Sequence, residues 1–213
     1  MRIISPSLLS ADFSNLKNEI LKLESAGANR LHLDVMDGHF VPSITFGPMV
    51  IKAIRKITNC HLETHLMIEN PHLTYDQYIE AGSNTIIFHI ESSIDPKKDI
   101  KYIKNKNILA GLALNPDTDE ILLKPFIEYL DYILIMSVHP GKGGQDFIHS
   151  TLKKIDNIAS MCKNKNITIG VDGGVNLETI SKVYSTKVDI TIVGSGLFRA
   201  NNISKRFNEL LNV

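Results

Sequence analysis

The stretch LHLDVMDG, residues 31–38, sets His32 and Asp34 two positions apart. In an extended chain, residues i and i+2 project to the same side, so an imidazole and a carboxylate share one space. His65 in CHLETHLM and Asp172 in ITIGVDGG close two further apolar runs. Two imidazoles and two carboxylates make a mixed nitrogen and oxygen donor set. It suits Zn, Fe(II), Mn or Co and lacks the thiolates of a closed structural zinc site. A strand-end histidine is more often only hydrogen-bonded, and a strand-end aspartate is often a turn or cap residue. Spacing alone therefore leaves open both a metal centre and four separate structural residues.

Three glycine clusters follow late apolar runs: SVHPGKGGQDF, DGGVN and VGSGLF. Glycine lets backbone N–H groups approach an anion closely, and a helix N-terminus adds its dipole. Plain turns also use glycine, but three clusters in succession point to a phosphorylated ligand. Met36, Met67 and Met136 end three runs. Methionine usually fills cores; here an apolar collar around a ligand is the other reading. Asp37 reads as a residue that orders the DGHF loop, and His61 starts a run at the end away from the other histidines. His39, His72 and His149 fall in loops or helix starts, while His89 ends the fourth run, as a core residue or as support for the site.

These residues need a scaffold that gathers strand ends. Apolar, β-branched runs recur at 3–5, 30–35, 61–66, 85–90, 107–113, 131–136, 167–171 and 188–193. Between them lie segments of helical spacing, such as FSNLKNEILKLESAG, DEILLKPFIEYL and IHSTLKKIDNIASMCK, with SKRFNELLN closing the chain. Such alternation predicts right-handed βαβ units and a parallel sheet. A weak repeat supports it: ESAGANRLHLDV resembles EAGSNTIIFHIE, and EYLDYILIMSV has the same shape. Ser14 and Asn70 read as helix N-caps, Gly27 and Gly82 as C-terminal stops. Eight units fit an α/β fold, a (β/α)8 TIM barrel forming a single domain over 1–213, whose chemistry sits where the strands end. A doubly wound sheet is the alternative. Its Gly-x-Gly-x-x-Gly fingerprint is missing, since the first run leads into SPSLLSADF.

Composition narrows the function classes. The 213 residues carry 23 basic and 23 acidic side chains, so no basic field argues for nucleic acid or an anionic membrane. Hydrophobic content of 43% and charged content of 22% are ordinary for a globular chain. No run reaches the length of a membrane span. Pro6 and Asp12 stand where a signal peptide needs an apolar centre. Cys60 and Cys162 show no pairing pattern, as expected of reduced thiols in a cytoplasmic protein.

The motifs PSLLSADF, LHLDVMDGHFVPSITFGP, HLMIENP, FHIE, GLALNP, IMSVHPGKGGQDF, VDGGVN and VGSGLF span nearly the whole chain. Together they resemble the ribulose-phosphate 3-epimerase family. The resemblance implies a (β/α)8 barrel that interconverts D-ribulose 5-phosphate and D-xylulose 5-phosphate with one divalent metal ion per chain. By that resemblance His32, Asp34, His65 and Asp172 are metal ligands, and Asp34 and Asp172 are the proton acceptor and donor. Ser7 and His65 match substrate contacts. Gly141, Lys142, Gly143 and Gly144 match the loop over the phosphate end, and Gly173, Gly174, Gly194 and Ser195 complete its grip. Lys142 replaces a usual aromatic, His139 stands where Asn or Glu is common, and Ser43 where Asn is usual; these departures fall at the tail pocket. Family members are often dimers or hexamers, so a homo-oligomer is expected.

The chemistry accounts for the residue types. Epimerisation at C3 removes a proton beside the C2 ketone and returns one to the other face. A Lewis acid stabilises the charge on O2 of the enediolate, and inversion needs two acid/base groups flanking the carbon, one ionised and one protonated. A methionine collar would keep water away from the intermediate. Allulose-6-phosphate 3-epimerase shares the catalytic set and is the runner-up. A decarboxylase-type barrel would need an Asp-x-Lys-x-x-Asp strand end, which neither DVMD nor HLETHLM supplies. A non-catalytic phosphate-binding barrel is disfavoured by the intact set of ligands and acids.

Overall fold

The computed structural model describes residues 2–213. Eight strands form one parallel sheet: β1 (Ile3–Pro6), β2 (Arg30–Met36), β3 (His61–Met67), β4 (Thr85–His89), β5 (Leu109–Leu114), β6 (Tyr132–Met136), β7 (Thr168–Asp172) and β8 (Ile190–Val193). They pair in the order β1-β8-β7-β6-β5-β4-β3-β2. A parallel bridge from Ser7 to His32 ties the two end strands, so the sheet rolls into a nearly closed barrel. Helices α1 (Leu16–Ser25), α2 (Pro48–Arg55), α3 (Tyr75–Glu80), α4 (Pro96–Asn105), α5 (Thr151–Met161), α6 (Ile180–Tyr184), α7 (Ser195–Phe198) and α8 (Ile203–Leu211) fill most of the connections. Among the described residues, no helix is long and apolar enough to cross a membrane.

Each strand has two buried faces, which explains the polar residues inside β2. Leu31, Leu33 and Val35 belong to the large outer core against the helices, together with Leu62, Leu66, Ile86 and Phe88. The alternate residues, His32, Asp34 and Met36, face inward. Register sets them beside Glu63, His65 and Met67 of β3. The far wall of the interior is apolar, built from Ile87, Leu134, Met136, Ile190 and Ile192. The interior thus joins a polar side, centred on β2 and β3 with Ser5, His89 and Asp172 beside them, to an apolar wall.

The two glycine stops behave as the sequence suggests. Gly27 and Gly82 both adopt φ +102, where a side chain is strained. After α1, Ala28 N–H reaches Leu23 C=O at 3.0 Å and Gly27 N–H reaches Glu24 C=O at 2.9 Å. Ser83 and Gly82 repeat these bonds after α3, to Tyr78 and Ile79. This is the Schellman closure of a helix end, and it is what the sequence repeat encodes.

Three local expectations need correction. Ser14 is not a helix cap. Asp12 accepts hydrogen bonds from the Ser14 N–H at 2.9 Å and hydroxyl at 2.6 Å, opening a 3-10 turn, and α1 begins only at Leu16. Asn70 precedes the 3-10 turn Pro71–Leu73 at φ 50 with no side-chain cap, and α3 starts later, at Tyr75. The segment DEILLKPFIEYL forms no α-helix. It makes a 3-10 turn at Glu120–Leu123 and then single turns closed by Phe126 to Leu123 and Tyr129 to Phe126. Pro125 has no N–H to give to the preceding turn, and its ring excludes the regular helix there. Lys154 of α5 helps close this side instead, donating to the carbonyls of Asn115 at 3.1 Å and Thr118 at 2.6 Å and to that of Pro116.

Candidate active site

Where β2, β3 and β7 end, His32, Asp34, His65 and Asp172 meet. One ligand atom from each lies within 4.8 Å of all the others. His32 Nε2 is 3.4 Å from Asp34 Oδ1 and 3.9 Å from Asp172 Oδ2. His65 Nδ1 is 3.3 Å from Asp34 Oδ1 and 3.9 Å from Asp172 Oδ2. Both imidazoles are completely buried. Four nitrogen and oxygen donor atoms, from three buried residues and the partly exposed Asp172, fit one small divalent cation. The residues fit the group that the motifs imply.

Asp34 is held on several sides. Ser7 Oγ donates to Asp34 Oδ2 at 2.6 Å. Thr45 Oγ1 donates to the Asp34 carbonyl at 2.7 Å and accepts from Met36 N–H at 2.9 Å, fixing the end of β2. Two aspartates of the same type then acquire opposite states. Burial disfavours charge on Asp34, but His32 and His65 outweigh it and hold this carboxyl far below the usual range. Burial, joined by the Asp34 charge, pushes Asp172 up to about 7. Burial draws His32 toward neutrality, yet Asp34, Glu63 and Asp172 raise its pKa well above the ordinary value. His65 goes the other way, down to about 3, from burial and from His89 and His32 beside it. Neighbouring carboxylates with divided proton affinities are the arrangement acid/base chemistry at one carbon requires.

Above this cluster opens a pocket. Ser7, Asp34, Asp172, the collar residues Met36, Met67 and Met136, the loop Gly141–Gly144, and Gly173, Gly174, Gly194 and Ser195 all line it. His32 and His65 do not; they lie beneath its floor. The three methionines are almost fully buried. Gly173 and Gly174 have φ +114 and +66, and a Cβ at Gly174 would stand 2.6 Å from Phe147 N. Only glycine suits that turn. Ser137 Oγ pins it from below, donating to the carbonyls of Asp172 at 2.9 Å and Gly173 at 2.7 Å. Among the described residues, the N–H groups of Gly143, Gly144, Gly173 and Gly174 have no protein acceptor. They are donors available to an anion.

The remaining candidates fall around this centre. Asp37 orders its loop, accepting from the N–H groups of His39 at 2.9 Å, Phe40 at 3.0 Å and Glu69 at 2.8 Å. His61 begins β3 and bonds Thr85 Oγ1 at 2.7 Å. His39, His72 and His149 are exposed. His89 is completely buried, with Nε2 2.9 Å from His65 Nε2. Lys142 is exposed at the rim, in a loop that Gln145 ties by donating to the carbonyls of His139 and Lys142 at 2.7 and 2.9 Å. Cys60 and Cys162 are buried free thiols.

Three residues escaped the sequence reading. Glu63 is completely buried between His32, Ser5 and Arg30; its Oε2 lies 3.4 Å from His32 Nδ1 and accepts from Ser5 Oγ at 2.7 Å, while Arg30 pairs with Oε1. The signal was present, because Glu63 stands two positions before His65 and shares its face. Glu91 reaches the site only through His89, with Oε2 3.1 Å from His89 Nδ1. Arg199 follows α7 and folds its guanidinium to 2.9 Å from where a Cβ of Gly144 would sit. It lines, with Lys142 and Ser195, an open cleft continuous with the pocket.

The model of the family described as "Ribulose-phosphate 3 epimerase family" matches residues 3–198. The chain is 40% identical over 210 residues to the ribulose-phosphate 3-epimerase of Bacillus subtilis, covering 97% of each chain. It is 38% identical over 213 residues to that of Chlamydia pneumoniae, covering 98% of this chain and 93% of the relative. Among solved structures, KGPDC from Streptococcus mutans superposes with a TM-score of 0.73 at 16% identity, over 100% of this chain and 96% of the other. At that identity the likeness speaks for the barrel alone.

Proposed function

The chain belongs to the ribulose-phosphate 3-epimerase family, and from that premise we propose that it interconverts D-ribulose 5-phosphate and D-xylulose 5-phosphate by proton transfer at C3 between Asp34 and Asp172. Membership makes it an isomerase. The observation that carries the finer reading is the pair of aspartates beneath a glycine-rich mouth, one held ionised and the other raised to about 7.

The residues divide the work. Asp34, kept as carboxylate by His32 and His65 and oriented by Ser7, takes the C3 proton from one face. Asp172, from the end of β7, delivers a proton to the other, and the roles exchange in the reverse direction. His32, Asp34, His65 and Asp172 would hold a divalent cation (Zn, Fe(II), Mn or Co), which when bound would supply Lewis-acid stabilisation of the charge that develops on O2. The methionine collar limits water at the carbanionic stage. The glycine N–H groups hold the phosphate, so binding energy remote from C3 keeps a small sugar in register. The same reading makes the protein a cytoplasmic homo-oligomer acting on a small phosphorylated sugar, with no nucleic-acid or membrane partner.

Lys142 and Arg199 give this mouth two cations beside the glycine loop. A charged donor adds a stronger hydrogen bond to phosphate than a neutral one. Lys142→Met and Arg199→Gln are each expected to raise KM several-fold with little change in kcat, and to weaken its dependence on salt. Unchanged KM at low ionic strength would mean that both side chains only face solvent.

Substrate length is decided by side-by-side kinetics on D-ribulose 5-phosphate and D-allulose 6-phosphate. The pentose phosphate is expected to show the higher kcat/KM. A preference for the hexulose phosphate transfers the assignment to allulose-6-phosphate 3-epimerase, and no activity on either leaves a binding barrel.

A further inference from the structure

The two buried imidazoles turn different nitrogens toward the cluster. His32 offers Nε2, with Nδ1 facing Glu63. His65 offers Nδ1, and its Nε2 faces another imidazole, His89 Nε2, at 2.9 Å. Behind His89, Glu91 Oε2 lies 3.1 Å from Nδ1. Glu91 is itself fixed: its Oε1 accepts from Asn115 N–H at 2.8 Å and from the Thr118 hydroxyl.

We infer that Glu91, acting through His89, is a positioning residue that sets the tautomer of His65 and so frees Nδ1 for a cation. A carboxylate only accepts, so His89 Nδ1 must carry the proton it gives to Glu91. A neutral imidazole has one N–H, which leaves His89 Nε2 bare. A cationic His89 would donate from Nε2 and leave the His65 proton on Nδ1; beside a neutral His89, two bare nitrogens at 2.9 Å would repel, so the contact stands only when His65 Nε2 carries the proton and donates. His65 Nδ1 then keeps its lone pair, directed at the cluster. Asp34 Oδ1, 3.3 Å away, pulls the opposite way and favours a proton on Nδ1. In that tautomer His65 could not bind a cation. The relay from Glu91 therefore opposes a preference that the site's own aspartate creates. Outer partners of this kind commonly change metal affinity by about 10–100-fold.

Glu91→Gln is a close isostere that cannot keep all of these bonds. Glu91 accepts at both oxygens, so the new NH2 must face either His89 Nδ1–H or the Asn115 N–H. The test uses the full chain and needs no substrate. Zn affinity, by competition with a chelator at fixed pH, is expected to fall about 10–100-fold in Glu91→Gln and in His89→Phe. Nitrogen-15 spectra of the metal-stripped parent should show His65 as the Nε2–H tautomer, and the variants should shift it toward Nδ1–H. The inference is overturned if parent His65 already carries its proton on Nδ1, a measurement that depends on no variant folding. It is also overturned if Glu91→Gln binds Zn as the parent does with the tautomer unchanged. It rests on the metal-centre reading, but the two fail separately: a parent that takes up no Zn removes the metal centre, while the spectrum still judges the relay.

Discussion

Prolonged chelation is expected to lower turnover at least about 10³-fold, and Zn, Mn, Co or Fe(II) to restore it. A stabilisation of several kcal/mol at a developing oxyanion corresponds to that factor, and the apolar wall opposite, with Ile192 and Leu134, offers no substitute. His65→Ala should bind the ion far more weakly while the barrel stays folded, since the outer core carries the packing. The affinity should also depend on pH with a definite sign. His32 is raised well above its ordinary value in the metal-free protein by Asp34 and Glu63, against the effect of burial. Its Nε2 must lose a proton to bind a cation, so binding releases that proton and weakens as pH falls below the His32 pKa. Zn titrations at about pH 6 and about pH 8 should differ by roughly tenfold or more, with proton release seen by calorimetry in buffers of different ionisation enthalpy. Full activity in a rigorously metal-free sample would end the metal assignment.

The second large effect concerns the two carboxyls. Asp34→Asn and Asp172→Asn should each lower epimerisation by about 10²–10⁴-fold, the usual worth of a placed acid or base. In heavy water the parent enzyme should place deuterium at C3 of both epimers. With one acid removed, slow exchange at C3 should survive for one epimer only, and for opposite epimers in the two variants. A single base serving both faces would instead return much of the original proton. Asp34 and Asp172 also belong to the donor cluster, so the metal content of each variant must be measured before its rate is interpreted. An Asp172→Asn protein that keeps its ion and epimerises near the parent rate removes Asp172 from the mechanism.

Much of the molecule is legible in its local pattern. The eight strand runs, and the glycine stops at Gly27 and Gly82, follow from periodicity and from backbone positions that only glycine suits. His32, Asp34, His65 and Asp172 could be named because a parallel barrel brings strand ends to one face. Asp37 could be assigned to its loop because its bonds to His39 and Phe40 are short-range. The missing helix after β5 was also written in the chain, as Pro125 within an otherwise helical spacing.

What the fold alone decided depends on distance across the barrel and on burial. Glu63 becomes a partner of His32 only through the β2–β3 register, and Glu91 serves His65 only because His89 of β4 stands between them. Arg199 reaches the glycine loop at Gly144 from beyond two further strands of the barrel. The separation of Asp34 from Asp172 is likewise invisible in two identical letters. It arises because burial penalises both charges: His32 and His65 together outweigh that penalty at Asp34, whereas at Asp172 the Asp34 charge adds to it and His32 offsets only part. Sequence determines which groups are present and which way each strand turns them; tertiary structure sets the ångström separations and the desolvation, and the proton affinities follow from those.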